Sequence, residues 1–466
     1  MMDDARTLKI QGVPSTTAYR RWLLFLLVLA YAWSFVDRII ISVVGQAIKV
    51  EMNLSDLQLG LLGGLAFSIF YTVLGIPIAR LAERYSRVVL ISVTIVGWSI
   101  MTALCGTAGS YWQLLAYRLG VGVGEAGGTP TAHSLIADQF PAEKRATALS
   151  IYALGPPLGV VVGALGGGWV AQHFGWRPVF LVMGLPGLIV GCLTYMTLRE
   201  PERGAADADG LDTSEDIPSF MTVVRLLLSN KTTVQMLLGT VLGGFAQYGI
   251  NLFIPVYLTR AFGMNYAQSG LIFAVVIGVA GMIGNGLGGM VTDRASTHDR
   301  RWYAWVPALG TALGFPLMAI AFLQRDWVIA VTLIFTGTVA LSFCYGATFA
   351  VIQGVVTSRM RATASAFVLL LINFVGQGGG PAFIGFLSDK FTEHLFTGGN
   401  YRMACTAAGA GKGSVGHAAG ALHEPLAQAC ANASATGVRY AMLTITIVLV
   451  WSAAHYFLAS RTMRRK

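Results

Sequence analysis

Four ionisable residues stand inside otherwise apolar runs: Asp37 and Arg38 in one, Arg118 and Glu125 in another. A charge at the centre of a membrane helix costs about 2.5 to 3.5 kcal/mol on insertion scales. Two acids and two bases sum to zero, so mutual pairing would offset that cost. Intramembrane carboxylates beside arginines are expected to face an interior cavity and to mark a substrate or proton pathway. On a helix Arg118 and Glu125 share one face with Gly122 and Thr129, and His133 lies near its edge. Asp37 and Arg38 point about 100° apart, so at least one must reach a partner on another helix. A helix-packing ion pair is the competing explanation, but burying charges is a poor source of stability. His133 is explained more simply as a hydrogen-bonded histidine than as a titrating one.

The rest of the chain must position these groups in lipid. It is 55% hydrophobic and 12% charged, against about 25% charged in soluble domains. The 56 glycines suit close helix packing in a membrane. The net charge of +10 is spread along the chain, so nucleic acid is not expected as a partner. Apolar runs long enough to cross a bilayer fall near Trp22–Gly45, Leu57–Ala79, Val88–Ala108, Trp112–Ala137, Ala146–Gln172 and Pro178–Leu198. A second set falls near Val234–Leu258, Gln268–Val291, Trp302–Leu323, Trp327–Val356, Ala362–Leu387 and Tyr440–Ala459. The expected fold is an all-α integral membrane protein with twelve transmembrane helices in two six-helix halves. The divisions are an N-terminal segment 1–21, a first half 22–198, a linker 199–231, a second half 232–460 and a tail 461–466. No cleavable signal peptide is apparent, and the first run reads as a retained helix.

Charge sets the orientation. Of the 32 Lys and Arg residues, 22 fall on the side that holds both termini. The positive-inside rule makes that side cytoplasmic, and a multi-pass cell-membrane protein, in a bacterial inner membrane, is expected. The linker is acidic, with Asp207, Asp209, Asp212 and Glu215 among its residues, and its end, Phe220–Leu228, is apolar enough to lie on the inner surface. A plain tether explains it equally well. The outer loop 390–439 is Ala/Gly-rich and long for a connection between membrane helices. It holds Cys405 and Cys430. In an oxidising space a disulfide is expected there, with two free thiols the alternative. His417 and His423 lie between them without a convincing metal-ligand spacing, and neither a metal nor a cofactor is expected.

The chain repeats itself. Ala79-Arg80-Leu81-Ala82-Glu83-Arg84-Tyr85-Ser86-Arg87 follows the second run, and Gly289-Met290-Val291-Thr292-Asp293-Arg294 closes the eighth. Both put an acid–arginine pair at the inner end of an even-numbered helix. This resembles the signature Gly-x-x-x-Asp-Arg-x-Gly-Arg-Arg/Lys of the major facilitator superfamily. Arg84 and Arg87 are kept with Glu83 in the acidic place, while Ala79, Ser86 and Val88 depart from it. The second copy keeps Gly289, Asp293 and Arg294. The resemblance implies that these residues help hold a cytoplasmic gate shut in the outward-facing state. It also implies a substrate site near the midplane between rocking halves.

The fourth run narrows the match. Arg118-Leu119-Gly120-Val121-Gly122-Val123-Gly124-Glu125-Ala126 resembles the Arg-x-x-x-Gly-x-Gly-Glu-Ala pattern of the Spinster family. Phe35-Val36-Asp37-Arg38 and Gly155-Pro156-Pro157-Leu158-Gly159 continue the likeness. It implies a proton-linked carrier of lysolipids or sphingosine-1-phosphate, in a bacterial member of the family. Asp37 and Glu125 are the expected proton-responsive groups, with Arg38 and Arg118 as charge partners or head-group contacts. The second half offers only uncharged candidates, Gln247, Tyr248, Asn251, Tyr345, Phe349, Gln353, Asn373 and Gln377, each explicable as ordinary packing. A charged half facing an apolar one suits an amphipathic or anionic ligand. The expectation is a monomeric, proton-coupled exporter of such a ligand, working by alternating access. A drug or organic-solute exporter of the same fold and an integral-membrane lipid-modifying enzyme are the alternatives. Against the enzyme, the spans hold no nucleophile elbow and no histidine–carboxylate constellation.

Overall fold

The computed structural model describes residues 16–201, 219–357, 360–407 and 424–463. Eleven helices are long and apolar enough to cross a membrane. One further span is the charged one, in two pieces, Tyr111–Glu125 and Gly128–Gln139. Its charges and its break at Ala126-Gly127 keep either piece from reading as a full apolar crossing. The twelve spans therefore run Thr17–Met52, 56–84, Arg87–Cys105, 111–139, 142–174 and Trp176–Thr197 in the first half. Lys231–Phe262, Tyr266–Ser296, Trp302–Leu323, Trp327–Val355, Thr363–Leu395 and Glu424–Thr462 form the second. A short helix, Phe220–Ser229, precedes the seventh span.

Local chemistry fixes the helix starts. Thr16, Ser55, Ser86, Ser110, Asn230 and Asn265 accept backbone N–H groups of the first turn of spans one, two, three, four, seven and eight. Those donors have no intrahelical partner and must be satisfied in lipid. Ser55 with Gln58 and Asn265 with Gln268 form reciprocal capping boxes. These stand at equivalent places of the two halves. So do π-helical stretches at Leu61–Leu65 and Ala274–Val279, and breaks in spans four and ten near Gly127 and Ser342. The duplication read in the sequence is thus a duplication of helix irregularities too.

Two boundaries differ from expectation. The first helix continues to Met52, past Gly45. The last begins at Glu424, not Tyr440, and Tyr401–Ala407 is also helical. The supposed loop is Ala-rich, and alanine is the strongest helix former; Pro425 also suits a first turn. Cys405 and Cys430 are joined with their Cα atoms 5.8 Å apart, tying the short helix to the last span. His417, His423 and linker residues 202–218 lie outside the described residues.

The two halves pack closely at the end away from the termini. A Cβ on Gly64 would stand 2.5 Å from the Gln377 carbonyl oxygen, and one on Gly168 2.7 Å from that of Tyr266. Only glycine lets spans two and eleven, and five and eight, approach this far. At the other end, no comparable packing among the described residues joins Gly128–Gln139 or Ala142–Tyr152 to Cys344–Val355 or Arg361–Leu371. The molecule is closed at one end and parted at the end that carries the termini.

Candidate functional site

Spans one and four cross-connect at the four intramembrane charges, through one ion pair and one bond to the backbone. Arg38 donates to Glu125 Oε2 through Nη2 at 2.7 Å and Nε at 2.8 Å. Arg118 donates from Nη1 to the Asp37 backbone carbonyl at 3.2 Å. The adjacent residues of span one point to different neighbours, and both reach span four. Asp37, Arg118 and Glu125 are buried. The set is not fully bonded. Both Asp37 carboxylate oxygens, Arg118 Nε and Nη2, and Glu125 Oε1 are buried without a hydrogen bond. Asp37 faces Arg118 and Thr102 without a well-formed bond to either. A buried polar group left unmatched costs about 1 to 3 kcal/mol, more when charged, so this centre is held well short of its most stable bonding.

Aromatic rings enclose the Arg38 guanidinium. Phe35, Phe67 and Tyr71 have ring centroids 4.8, 4.6 and 4.7 Å from it. Tyr31 stacks on Tyr152 at 4.6 Å, and His133 meets Tyr152 edge-on at 5.4 Å. A cleft beside the ion pair is lined by Tyr31, Ser34, Trp98, Thr129 and Tyr152 with Arg38 and Glu125. Tyr248 and Tyr345 of the second half lie within electrostatic range of each other and of Tyr31; Arg38 acts on Tyr248. Hydroxyls from both halves therefore converge near one cation.

The remaining candidates divide. Thr129 lines the cleft, His133 reaches it only through its contact with Tyr152, and Tyr345 and Phe349 contact each other at 5.7 Å. Gln353 donates to Ser365 at 3.2 Å within its own half. Asn373 and Gln377 are buried, with Gln377 Oε1 unbonded. Gln247 and Asn251 are half-buried on the seventh span, and among the described contacts none joins them to the ionic centre. Tyr31, Tyr71 and Tyr152 were missed in the sequence. Their signal was present: Tyr31, Ser34, Phe35 and Arg38 follow i, i+3, i+4, i+7, one helix face.

At the parted end, Arg84, Asp293 and Arg294 are exposed, and the Glu83 side chain lies outside the described residues. Arg87 is buried and bonded within its own half. It donates to Glu200 at 2.7 Å and to Ser134 Oγ at 2.8 Å, and it pairs with Asp138. In this arrangement Arg87 braces spans three and four to the segment after span six.

At the closed end sits a second charge cluster that the sequence reading did not find. Asp56 accepts from Arg260 Nη1 at 2.8 Å and Nη2 at 2.6 Å, from Lys49 Nζ at 2.6 Å and from Ser388 Oγ at 2.6 Å. Asp389 accepts the N–H groups of Asp56 and Leu57, both at 2.9 Å. Arg260 Nε donates to Gln46 at 2.8 Å. Gln46, Lys49 and Asp56 belong to the first half, and Arg260, Ser388 and Asp389 to the second.

Two pseudo-repeated six-helix bundles, in close contact at one end and with an ionic centre inside the first, have the architecture of a membrane transporter. Residues 27–385 match the Major Facilitator Superfamily, and the chain belongs to that superfamily, among its Spinster-like members. An MFS-type efflux pump of Mycolicibacterium smegmatis is 32% identical over 374 residues, 78% of this chain and 83% of that protein. The sphingosine-1-phosphate transporter SPNS2 of Danio rerio is 28% identical, covering 78% of this chain and 75% of that one. A bacterial homolog of the human lysosomal transporter Spinster, in an inward-facing, unoccupied conformation, superposes with a TM-score of 0.87. It is 33% identical and covers 96% of this chain and 98% of its own. These relatives are transporters and not enzymes, so the lipid-modifying enzyme falls away.

Proposed function

We propose that the chain is a proton-coupled exporter of an amphipathic solute with an anionic head, with both termini in the cytoplasm. The observation that carries this reading is the crosswise Arg38–Glu125 and Arg118–Asp37 arrangement with its unbonded oxygens and donors. Oε1 of Glu125 is bare and can take a proton, which discharges the carboxylate and weakens its pairing with Arg38. Protonating Glu125 would release Arg38 from its partner. The freed guanidinium, facing a cleft with hydroxyls from Tyr31, Thr129 and Tyr152, suits a phosphate or carboxylate head. The exposed apolar residues Tyr345 and Phe374 of the second half suit a hydrocarbon tail. In the present arrangement the cleft communicates with the termini side, where cytoplasmic solute would load. Proton uptake at Glu125 and head-group binding at Arg38 then favour each other, which couples the two movements; the reading of export rests on the efflux pump among the relatives.

The sphingosine-1-phosphate transporter among the relatives supports a lysolipid or sphingoid phosphate as substrate. The mycobacterial efflux pump favours a second reading, export of a drug-like solute through the same site. Purified protein in liposomes, with an imposed pH gradient, tests both. Uphill flux of a lysophospholipid or sphingoid phosphate, lost on collapsing the gradient, is expected. Gradient-driven flux of cationic dyes alone would favour the second reading. Flux of either class indifferent to the gradient would overturn proton coupling.

A further inference from the structure

The second basic feature of the molecule lies on its outside, at the end that carries the termini. Lys231 opens the seventh span and Arg461 stands in the last turn of the twelfth. The two helix ends are tied by the Thr232 and Thr462 hydroxyls at 2.7 Å and by His455 and Gln235 at 2.7 Å. Between them and the helix Phe220–Ser229 runs a groove of about 380 Å³, lined by Lys231, Arg461, Leu228, Val234 and Leu458. Among the described residues no carboxylate lines it. Both cations are exposed.

The groove continues into an apolar track. On the last span, Ile447, Trp451, Ala454, Leu458 and Arg461 follow i, i+4, i+7, i+11, i+14, one helix face. Ile447, Trp451 and Leu458 are exposed at 62, 60 and 42%. Leu228 and Leu238 are exposed on the facing side. Two cations at the end of a hydrocarbon track, with a hydroxyl pair between, match one phospholipid: head at the helix ends, chains along Trp451 and Leu238. The short helix presents Phe220, Met221 and Leu228 outward while Val223 and Leu227 pack against the second half, so it lies where headgroups meet acyl chains.

We infer that this groove binds an anionic phospholipid from the surrounding leaflet, held by Lys231 and Arg461. It is separate from the central cleft and does not depend on what that cleft carries. The ligand is a resident of the bilayer. It would bridge the linker helix to spans seven and twelve, which move with the second half.

Native mass spectrometry of the full chain, titrated with phosphatidylglycerol or phosphatidylcholine of equal chain length, tests this. Wild type should retain phosphatidylglycerol in preference. Each basic residue near a headgroup contributes about fivefold in anionic-lipid binding, so K231Q/R461Q should weaken it roughly twenty-five-fold. K231R/R461K should keep the preference, which separates lost charge from lost folding. R300Q/R301Q, a basic pair at the same end of the molecule, should leave it unchanged. Equal losses in K231Q/R461Q and R300Q/R301Q would mean a diffuse belt of charge and overturn the site. An unaltered preference in K231Q/R461Q would also overturn it.

Discussion

Among the described residues two clusters each bring together two acids and two bases, and they are built to opposite purposes. The midplane cluster, Asp37, Arg38, Arg118 and Glu125, lies within one half and leaves five side-chain atoms without hydrogen bonds. The cluster at the closed end, Lys49, Asp56, Arg260 and Asp389, spans both halves. There each carboxylate oxygen of Asp56 and Asp389 accepts at least one bond. Desolvating charges is costly in both places. A cluster that satisfies its members between two bodies holds the bodies together. A cluster that leaves carboxylate oxygens bare can change protonation or partner at small cost. The first arrangement suits a lock and the second a switch.

The largest effect should come from the lock. Asp56→Asn leaves Lys49 and Arg260 facing each other with one carboxylate fewer. Breaking a buried pair costs about 3 to 5 kcal/mol. Spin labels across the closed end should report a population shift of about a hundredfold or more towards separation. An unchanged distance distribution would show that glycine packing alone closes this end.

Next comes the switch. Asp37→Asn removes a charge whose oxygens have no donor, so thermal stability should change by less than about 1 kcal/mol. Gradient-driven flux should nevertheless collapse to the level of protein-free liposomes. Asp389→Asn should do the reverse, costing stability through the lost N–H bonds to Asp56 and Leu57 while sparing the pH dependence. If the two variants exchange these phenotypes, the assignment of lock and switch is inverted.

Smaller effects test the surroundings. Tyr248→Phe removes a hydroxyl near Arg38, about 1 kcal/mol or fivefold in apparent substrate affinity. A normal affinity in that variant would remove the second half from head-group recognition. Cys405→Ser should lower thermal stability by about 2 to 4 kcal/mol at most, by freeing the 25-residue connection. It should leave flux nearly unaltered: both cysteines line the same cavity as Lys49, Arg260 and Asp389, but the bonds of the lock run to other partners. A large loss of flux would tie the outer helix to gating.

The two clusters also differ in how far the sequence revealed them. Asp37, Arg38, Arg118 and Glu125 were legible because charge inside a 20-residue apolar run has few explanations. The crosswise pairing was only half legible: helical geometry required a partner on another helix but could not say which. Asp56 and Asp389 were hidden because they stand at helix ends, where charges are common. Their partners lie more than 200 residues away in the chain, at Arg260 and Asp56 respectively. Arg87 carried a motif resemblance that pointed to the gate, while its bonds here run to Glu200 and Ser134 of its own half. The twelve-span fold was legible from hydropathy alone. The helical start of the last span was not, since an Ala/Gly-rich stretch reads as loop until tertiary packing selects helix.

The most direct measurement of the account follows label distances across the closed end as a function of pH. It compares wild type, Asp56→Asn, and the double variant Asp37→Asn with Glu125→Gln. Charge pairs bias whichever state forms them, so a proton can shift the balance only through groups that take it up. Wild type should interconvert between closed and open outer ends as pH changes. Asp56→Asn should keep that response with its midpoint displaced. The double variant should hold one distribution at every pH. A double variant that retains the wild-type pH response would contradict the assignment of the midplane cluster as the switch.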